Sequence, residues 1–352
     1  MTFAIAAVGT GGHVFPGLAV GEALVAAGAR RDDILFVGGD RLEAEVYPEA
    51  GFPFLQVRLQ GVKRSLSLSN LRIPFTLVSS ILTMRRVFRR RSVRTVLGLG
   101  GYVTVPAAIA ARLAGATVMV SEQNAHAGLG NRIAGLFASR RFGAFPKTIG
   151  LDAEWVGNPV RAELESFDRD GLRPEALRRY GLAADRPVVG IFGGSLGAGV
   201  LNRIAPEVAA IPGVQVVHLA GEIHVESLES SADDSWRIIG FEDRMDLFYA
   251  AADLVVARAG GAVAELSATA TPALLVPGGF GSAGHQAANA AFLAEAGSAL
   301  VVEEAEVTSV PGIVADVIGD RGRLEAMRHA ARSLARPDAA RVIAAAMISA
   351  HG

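Results

Sequence analysis

Twice in this chain an apolar strand runs into a glycine-rich turn and then into a helix. The first copy is Phe3–Val8 followed by Gly9-Thr10-Gly11-Gly12-His13, with a helix predicted from about Pro16 to Ala27. The second is Val188–Phe192 followed by Gly193-Gly194-Ser195-Leu196-Gly197, with a helix predicted from about Leu201. Their starts lie 185 residues apart, too far for a solenoid repeat. Each copy heads its own series. Strands are predicted at Ile34–Val37, Phe54–Val57, Thr95–Leu97 and Thr117–Val120, with helices at Pro106–Ala114 and Gly128–Phe137. The second series has strands at Gln215–Leu219, Arg237–Ile239, Leu254–Ala257, Ala273–Val276 and Leu300–Val302. Its helices are at Met245–Ala251, Ala262–Thr269 and from near Gln286. Short, continuously apolar strands alternating with helices predict an α/β chain whose parallel sheets are covered on both faces.

At 352 residues the chain is too long for one ordinary core, and at 51% apolar content it can build two. Gly157-Asn158-Pro159 punctuates the middle. The expected domains are 1–157 and 158–336, with an Ala-rich helix at 337–352 that can pack back on the first. There is no Cys, which excludes disulfides and thiolate zinc sites. A formal charge of -1 argues against a dedicated nucleic-acid binder. Met1-Thr2-Phe3 enters a strand with no basic region before it, so mature sequence is expected. The stretch Ile73–Met84 is interrupted by Thr76, Ser79, Ser80 and Thr83 and falls short of the ~20 apolar residues a membrane span needs.

Both glycine turns sit where a strand ends and a helix begins. There, glycine lets backbone N–H groups approach an anion at the helix N-terminus. Neither is G-x-G-x-x-G or a Walker loop, so each is also readable as an ordinary turn. His13 is either a core or capping histidine or a proton acceptor. Glu122-Gln123-Asn124 places polar groups at a strand's C-terminal edge, where parallel sheets bind ligands. Gly98–Tyr102 is a similar turn. Glu265, in the first turns after Arg258-Ala259-Gly260-Gly261, either stabilises its helix or grips ribose hydroxyls. Gln286 and Asn289, three apart, share a helix face suited to hydroxyl or pyrophosphate contacts. Residues 85–94 hold six arginines after the apolar run of Leu71, Ile73, Phe75, Leu77, Val78, Ile81 and Leu82. That segment is either a solvated helix face or a surface for anionic lipid.

Taken together, these motifs resemble the MurG family of peptidoglycan glycosyltransferases, glycosyltransferase family 28. The matching segments are Gly9–Pro16, Gly98–Pro106, Ser121–Asn124, Gly157–Arg161, Gly193–Ala198, Arg258–Gly260, and His285-Gln286 with Asn289. The resemblance implies a GT-B fold, two Rossmann-like domains facing across a cleft. It implies inverting transfer of GlcNAc from UDP-GlcNAc to the C4 hydroxyl of MurNAc in lipid I, giving lipid II and UDP. Thr10, Gly11 and Gly12 would contact phosphate and sugar. His13 would be the base, with Glu122 orienting or replacing it. Tyr102, Glu122 and Asn131 would lie on the acceptor side. Asn124 would bind sugar, Arg161 and Ser195 the nucleotide half, Glu265 the ribose, and Gln286 and Asn289 the diphosphate and sugar. No metal and no cofactor is expected. The Arg258-to-Glu265 interval is one residue shorter than the family pattern and lacks its Thr, and Gly281–Gly284 departs from the family's Asp or Lys near His285.

Lipid I is membrane-bound, so the resemblance also implies peripheral docking on the cytoplasmic side of the cell membrane. Phe75, Ile81, Leu82, Arg85, Arg86 and Arg89 lie in the corresponding region. The expected partners are UDP-GlcNAc, lipid I in the inner leaflet and an anionic membrane surface. The competing expectations are another GT-B transferase using a nucleotide-sugar, a non-hydrolysing sugar epimerase, and a catalytically silent nucleotide-sugar binding protein.

Overall fold

The computed structural model describes residues 2–57, 73–194, 197–229, 235–278 and 284–350. The chain forms two compact units, Met1–Ala162 with Pro337–Gly352, and Glu163–Arg336.

In the first unit, seven strands among the described residues form one sheet. They are β1 (Thr2–Ala6), β2 (Ile34–Gly38), β3 (Phe54–Gln56), β4 (Val93–Gly98), β5 (Thr117–Glu122), β6 (Arg140–Gly143) and β7 (Glu154–Trp155). Their order is β3-β2-β1-β4-β5-β6-β7, with every pair parallel. Side chains alternate across β1. Phe3 and Ile5 join one apolar cluster with Phe36, Leu97 and Phe142; Ala4 and Ala6 join the other with Val96, Val118 and Val120. The helix Gly11–Ala26 covers the first face, so closely that a Cβ at Gly21 would lie 2.7 Å from the Phe36 ring. The C-terminal helix Ala339–Ser349 covers it too, through Ile343 and Met347, and Thr95 Oγ1 donates to the Met347 carbonyl at 3.0 Å. Each of those two buried side chains contributes roughly 1.5–3 kcal/mol. Met84 and Phe88 of the helix Ile73–Arg90 cover the second face, together with Ala107 and Ala111 of the helix Thr104–Ala114.

The second unit repeats the plan with β8 (Val188–Phe192), β9 (Gln215–Leu219), β10 (Trp236–Ile239), β11 (Leu254–Ala257), β12 (Ala273–Leu275) and β13 (Ala299–Val301). Their order is β10-β9-β8-β11-β12-β13, again parallel. The two Rossmann-like units are those of a GT-B fold. Strand order reverses between β1 and β4 in one unit and between β8 and β11 in the other. Those are the switch points where open parallel sheets bind ligands. The two glycine turns follow β1 and β8, so each lies at its unit's switch point.

Two polar features hold the second unit. Asp253, just before β11, accepts from Val188 N at 3.0 Å, Arg173 at 2.9 Å, Arg169 at 3.1 Å and Arg328 at 3.2 Å. On β9, His218 is fully buried, stacks on Trp236, and meets Asn202 Oδ1 at 3.0 Å through Nε2. Asn202 Nδ2 is used on the Ala220 carbonyl, so Oδ1 accepts and His218 carries its proton on Nε2. Burial, with a smaller contribution from His224, pulls the imidazole down to about 4 from 6.5. The unfolded chain therefore binds a proton between these values that the folded chain excludes. Stability is full above pH 6.5 and falls as pH drops toward 4, by ~3 kcal/mol at that end. Urea unfolding at pH 7 and pH 4 checks this: the wild-type loss should exceed that of His218→Gln by about this amount.

Candidate active site

The first unit's site is built from three strand ends, those of β1, β4 and β5. Gly9, with φ +112°, turns the chain out of β1, and the helix begins at Gly11, earlier than the pattern predicted. Its first N–H groups have no acceptor within the helix, so the turn at Gly11 and Gly12 presents donors beside exposed Thr10. His13 N–H donates to the Thr10 carbonyl at 3.0 Å, which fixes the residue in the first turn.

The turn after β4 folds onto the turn after β1. Gly100 has φ +102°, and a Cβ there would lie 3.0 Å from both Cδ2 and Nε2 of His13. Gly101, with φ +75°, packs against Val8 so tightly that no side chain fits. A Cβ at Gly130 would lie 2.7 Å from the Gly101 carbonyl, so the helix Leu129–Gly135 also presses on this turn. Its Asn131 lies near Gly100 as well.

Glu122 closes β5 and is buried. One carboxylate oxygen accepts from Asn124 N and Asn124 Nδ2, both at 3.0 Å. The other accepts from Gly128 N at 3.0 Å and Asn131 Nδ2 at 2.8 Å. Asn131 Nδ2 also donates to the Ser121 carbonyl at 3.0 Å. The carboxylate is thus a fixed anion, held by four donors. His13 feels it. Burial lowers the affinity of His13 for a proton, and Glu122 and then Glu43 oppose that loss. The His13 Nδ1 is buried and has no hydrogen-bond partner among the described residues. Tyr102 is half-buried, with its phenol pushed up by burial and then by Glu43 and Asp40, against Arg41.

Arg161 lies in this unit, its guanidinium 4.3 Å above the Phe15 ring of the opening helix. On the helix Ile73–Arg90, Ile81 is half-buried against the core, while Val78, Leu82, Arg86 and Arg89 are exposed. Arg85 Nε donates to the Leu113 carbonyl at 3.2 Å. The side chain of Phe75 lies outside the described residues, and so does Ser195.

In the second unit, Gly194 (φ +101°) and Gly197 (φ +74°) bracket the turn after β8. Gly197 packs directly on the Ala220 carbonyl, which leaves no room for a side chain. After β11, Arg258 donates to Glu304 at 2.7 Å and to the Val276 carbonyl at 3.1 Å. Glu265 accepts from the buried Tyr249 hydroxyl at 2.8 Å. Gln286 Oε1 accepts from Gly278 N at 2.7 Å. Asn289, fully buried, donates from Nδ2 to the Ala259 carbonyl at 3.0 Å and so ties its helix to the β11 turn.

The structure thus gathers His13, Glu122, Asn124 and Asn131 around one switch point, and Arg258, Gln286 and Asn289 around the other. It adds two residues that the sequence reading missed. Tyr249 sits in an apolar helix and Glu43 opens a short one, so each passes for a structural residue until its hydrogen bonds are seen. Among the described residues, no group of three His, Cys, Asp or Glu is placed to hold a metal ion.

Residues 3–142 match the glycosyltransferase family 28 N-terminal domain, and residues 188–343 the glycosyltransferase family 28 C-terminal domain. The chain is 39% identical over 349 residues to the UDP-N-acetylglucosamine--N-acetylmuramyl-(pentapeptide) pyrophosphoryl-undecaprenol N-acetylglucosamine transferase of Halorhodospira halophila, covering 96% of this chain and 95% of that one. It is 38% identical over 354 residues to the protein of the same name from Burkholderia vietnamiensis, covering 96% and 93%. Among solved structures it is similar to MurG of Acinetobacter baumannii, with a TM-score of 0.77 and 29% identity over 99% of both chains.

Proposed function

The chain belongs to glycosyltransferase family 28, and from that membership we propose that it transfers GlcNAc from UDP-GlcNAc to the C4 hydroxyl of MurNAc in lipid I. The products are lipid II and UDP, and the anomeric configuration inverts. The observation that carries the chemical reading is His13: a neutral imidazole at a switch point, in the first turn of a helix and beside a fixed carboxylate. The acceptor oxygen forms a bond to the anomeric carbon as the bond from that carbon to the UDP oxygen breaks. The hydroxyl proton passes to His13, and the electron pair leaves with UDP. Burial keeps the imidazole unprotonated and ready to accept. Glu122 is an orienting anion in this scheme, because both its oxygens already accept two N–H bonds each.

The remaining residues take the roles that the family resemblance gives them. Thr10, Gly11 and Gly12 offer a hydroxyl and helix N-terminal N–H groups to phosphate and sugar. Tyr102 and Asn131 serve the acceptor side, and Asn124 the sugar. Arg161 and Ser195 serve the nucleotide half. Glu265, oriented by Tyr249, takes the ribose hydroxyls. Gln286 and Asn289 serve the diphosphate and donor sugar. The leaving charge is met by N–H groups and helix dipoles.

The test is UDP release from UDP-GlcNAc with and without a lipid I analogue. Acceptor-dependent release is expected. Release without acceptor would indicate hydrolysis, and tight donor binding without turnover would indicate a silent binding protein.

The acceptor lies in a membrane, so the enzyme docks peripherally on the cytoplasmic side of the cell membrane. From residue 50 to residue 151 the sequence has 15 Lys and Arg and one acidic residue, Glu122, although the whole chain is near neutral. Leu82 is 49% exposed beside exposed Arg86 and Arg89. No helix among the described residues is long and apolar enough to cross a membrane. Each arginine at an anionic surface contributes about 1 kcal/mol. Changing Arg86, Arg89 and Arg90 to Glu is therefore expected to weaken binding to anionic vesicles on the order of 100-fold or more, with little change on a soluble acceptor. Equal loss in vesicle sedimentation and in the soluble assay would contradict this role.

A further inference from the structure

Glu43 is fully buried, yet among the described residues its carboxylate accepts hydrogen bonds from backbone alone. Oε2 accepts from Gly9 N at 3.3 Å and Oε1 from Gly39 N at 3.0 Å. Gly9 lies in the turn after β1 and Gly39 follows β2, so one side chain ties two neighbouring strand-end turns. A third turn reaches the same point. The Tyr102 hydroxyl abuts Gly39, where a Cβ would also lie 2.9 Å from Glu43 Oε1. Tyr102 belongs to the turn whose Gly100 lies against the His13 ring. From Gly9 the chain passes through Thr10, whose carbonyl holds His13 N–H.

Stapling turns does not require a charge. A buried carboxylate costs several kcal/mol to desolvate, which a neutral amide or hydroxyl avoids. The charge therefore needs a use. The groups whose charges act on His13 are Glu122, from β5, and Glu43, from the helix Glu43–Glu49. Both are anions. Around Glu43 itself stand Tyr47 and Tyr102, with Asp40 and Arg41 acting on Tyr102.

We infer that Glu43 is a positioning residue for the transfer reaction: it locks the Gly9 turn that carries His13 and supplies the second fixed anion for the imidazolium that forms there. The inference rests on the proposed reading of His13 as the base. When His13 takes the acceptor proton, its positive charge appears in the field of two carboxylates already held in place by N–H donors. Such preorganised charge requires no rearrangement during the reaction. Neither carboxylate touches the reacting atoms.

The experiment is an NMR titration of His13 in the full chain with labelled histidine, assigned with His13→Gln, alongside the pH profile of kcat/KM. Wild type, Glu43→Gln and Glu43→Asp are compared. In Glu43→Gln the His13 midpoint is expected to fall, the acidic limb of the profile to move down by the same interval, and the plateau to drop about tenfold. Glu43→Asp, which keeps the charge, is expected to restore most of each, and Glu43→Ser, which removes the charge and keeps a polar end, takes the glutamine variant's place if that one fails to fold. An unchanged His13 midpoint with lost activity would overturn the inference and leave Glu43 as a turn staple. A shifted midpoint with an unmoved acidic limb would overturn His13 as the base, and with it the role given to Glu43 in the reaction.

Discussion

Replacing His13 with glutamine lowers kcat for acceptor-dependent UDP release by roughly 10²- to 10⁴-fold, the usual range for losing a positioned general base. Glutamine keeps the size and a polar end but takes no proton. Donor binding should change little, because His13 is assigned to the acceptor and UDP-GlcNAc to other residues. Calorimetry with UDP-GlcNAc and steady-state kinetics with a lipid I analogue separate the two effects. The wild-type rate should also fall as pH drops, because the base is lost when the imidazole is protonated. Burial displaces that fall to lower pH than for a free histidine, and the two carboxylates partly restore it. The His13→Gln residual rate should lack that limb. A loss of less than about tenfold would mean that another group takes the proton. Glu122 would then have to surrender hydrogen bonds to do so.

Replacing Asp253 with alanine destabilises the protein by about 3–5 kcal/mol, the cost of breaking a buried charge pair from one side. Three arginines converge on this carboxylate, with side chains 15–23% exposed. Burial alone raises the carboxyl, but the Val188 N–H and the guanidiniums of Arg173 and Arg169 outweigh it and hold Asp253 below the usual range. Burial pulls Arg169 down to about 10, aided by Arg328 and opposed by Asp253. Without Asp253 the three cations face one another. Arg169 and Arg173 do keep bonds to the carbonyls of Tyr249, Ala250, Ala251 and Ala252, which the end of the helix Met245–Ala251 supplies. That helix carries Tyr249, so loosening it also loosens Glu265. Urea unfolding should show a lower midpoint at similar slope, and a change under about 1 kcal/mol would contradict the account.

The sequence was most legible where a strand is buried on both faces. Val188–Phe192, Gln215–Leu219 and Leu254–Ala257 are short, mostly apolar runs, and the structure has strands with those bounds. It was least legible at the sheet edge. Arg140-Arg141-Phe142-Gly143 and Glu154-Trp155 look like loop, but Arg140 pairs with Glu154 at 2.5 Å and covers the Phe142 ring, as edge strands allow. Glycine misled at the first turn: Gly11 and Gly12 read as breakers, yet they open the helix because its first residues need no intrahelical N–H bond. The candidate site was partly legible. Glu122 and Asn131 stand nine apart in sequence and meet because β5 and the helix Leu129–Gly135 enclose one turn. Glu43 was not legible, because its partners are the backbone N–H groups of Gly9 and Gly39, and a sequence does not show where backbone donors point.

The most direct measurement is the structure of the product formed from UDP-GlcNAc and a lipid I analogue. NMR should show GlcNAc joined through a β linkage to the C4 oxygen of MurNAc, with one UDP released per disaccharide. Free GlcNAc with UDP, an α linkage, or attachment at another hydroxyl would contradict the account.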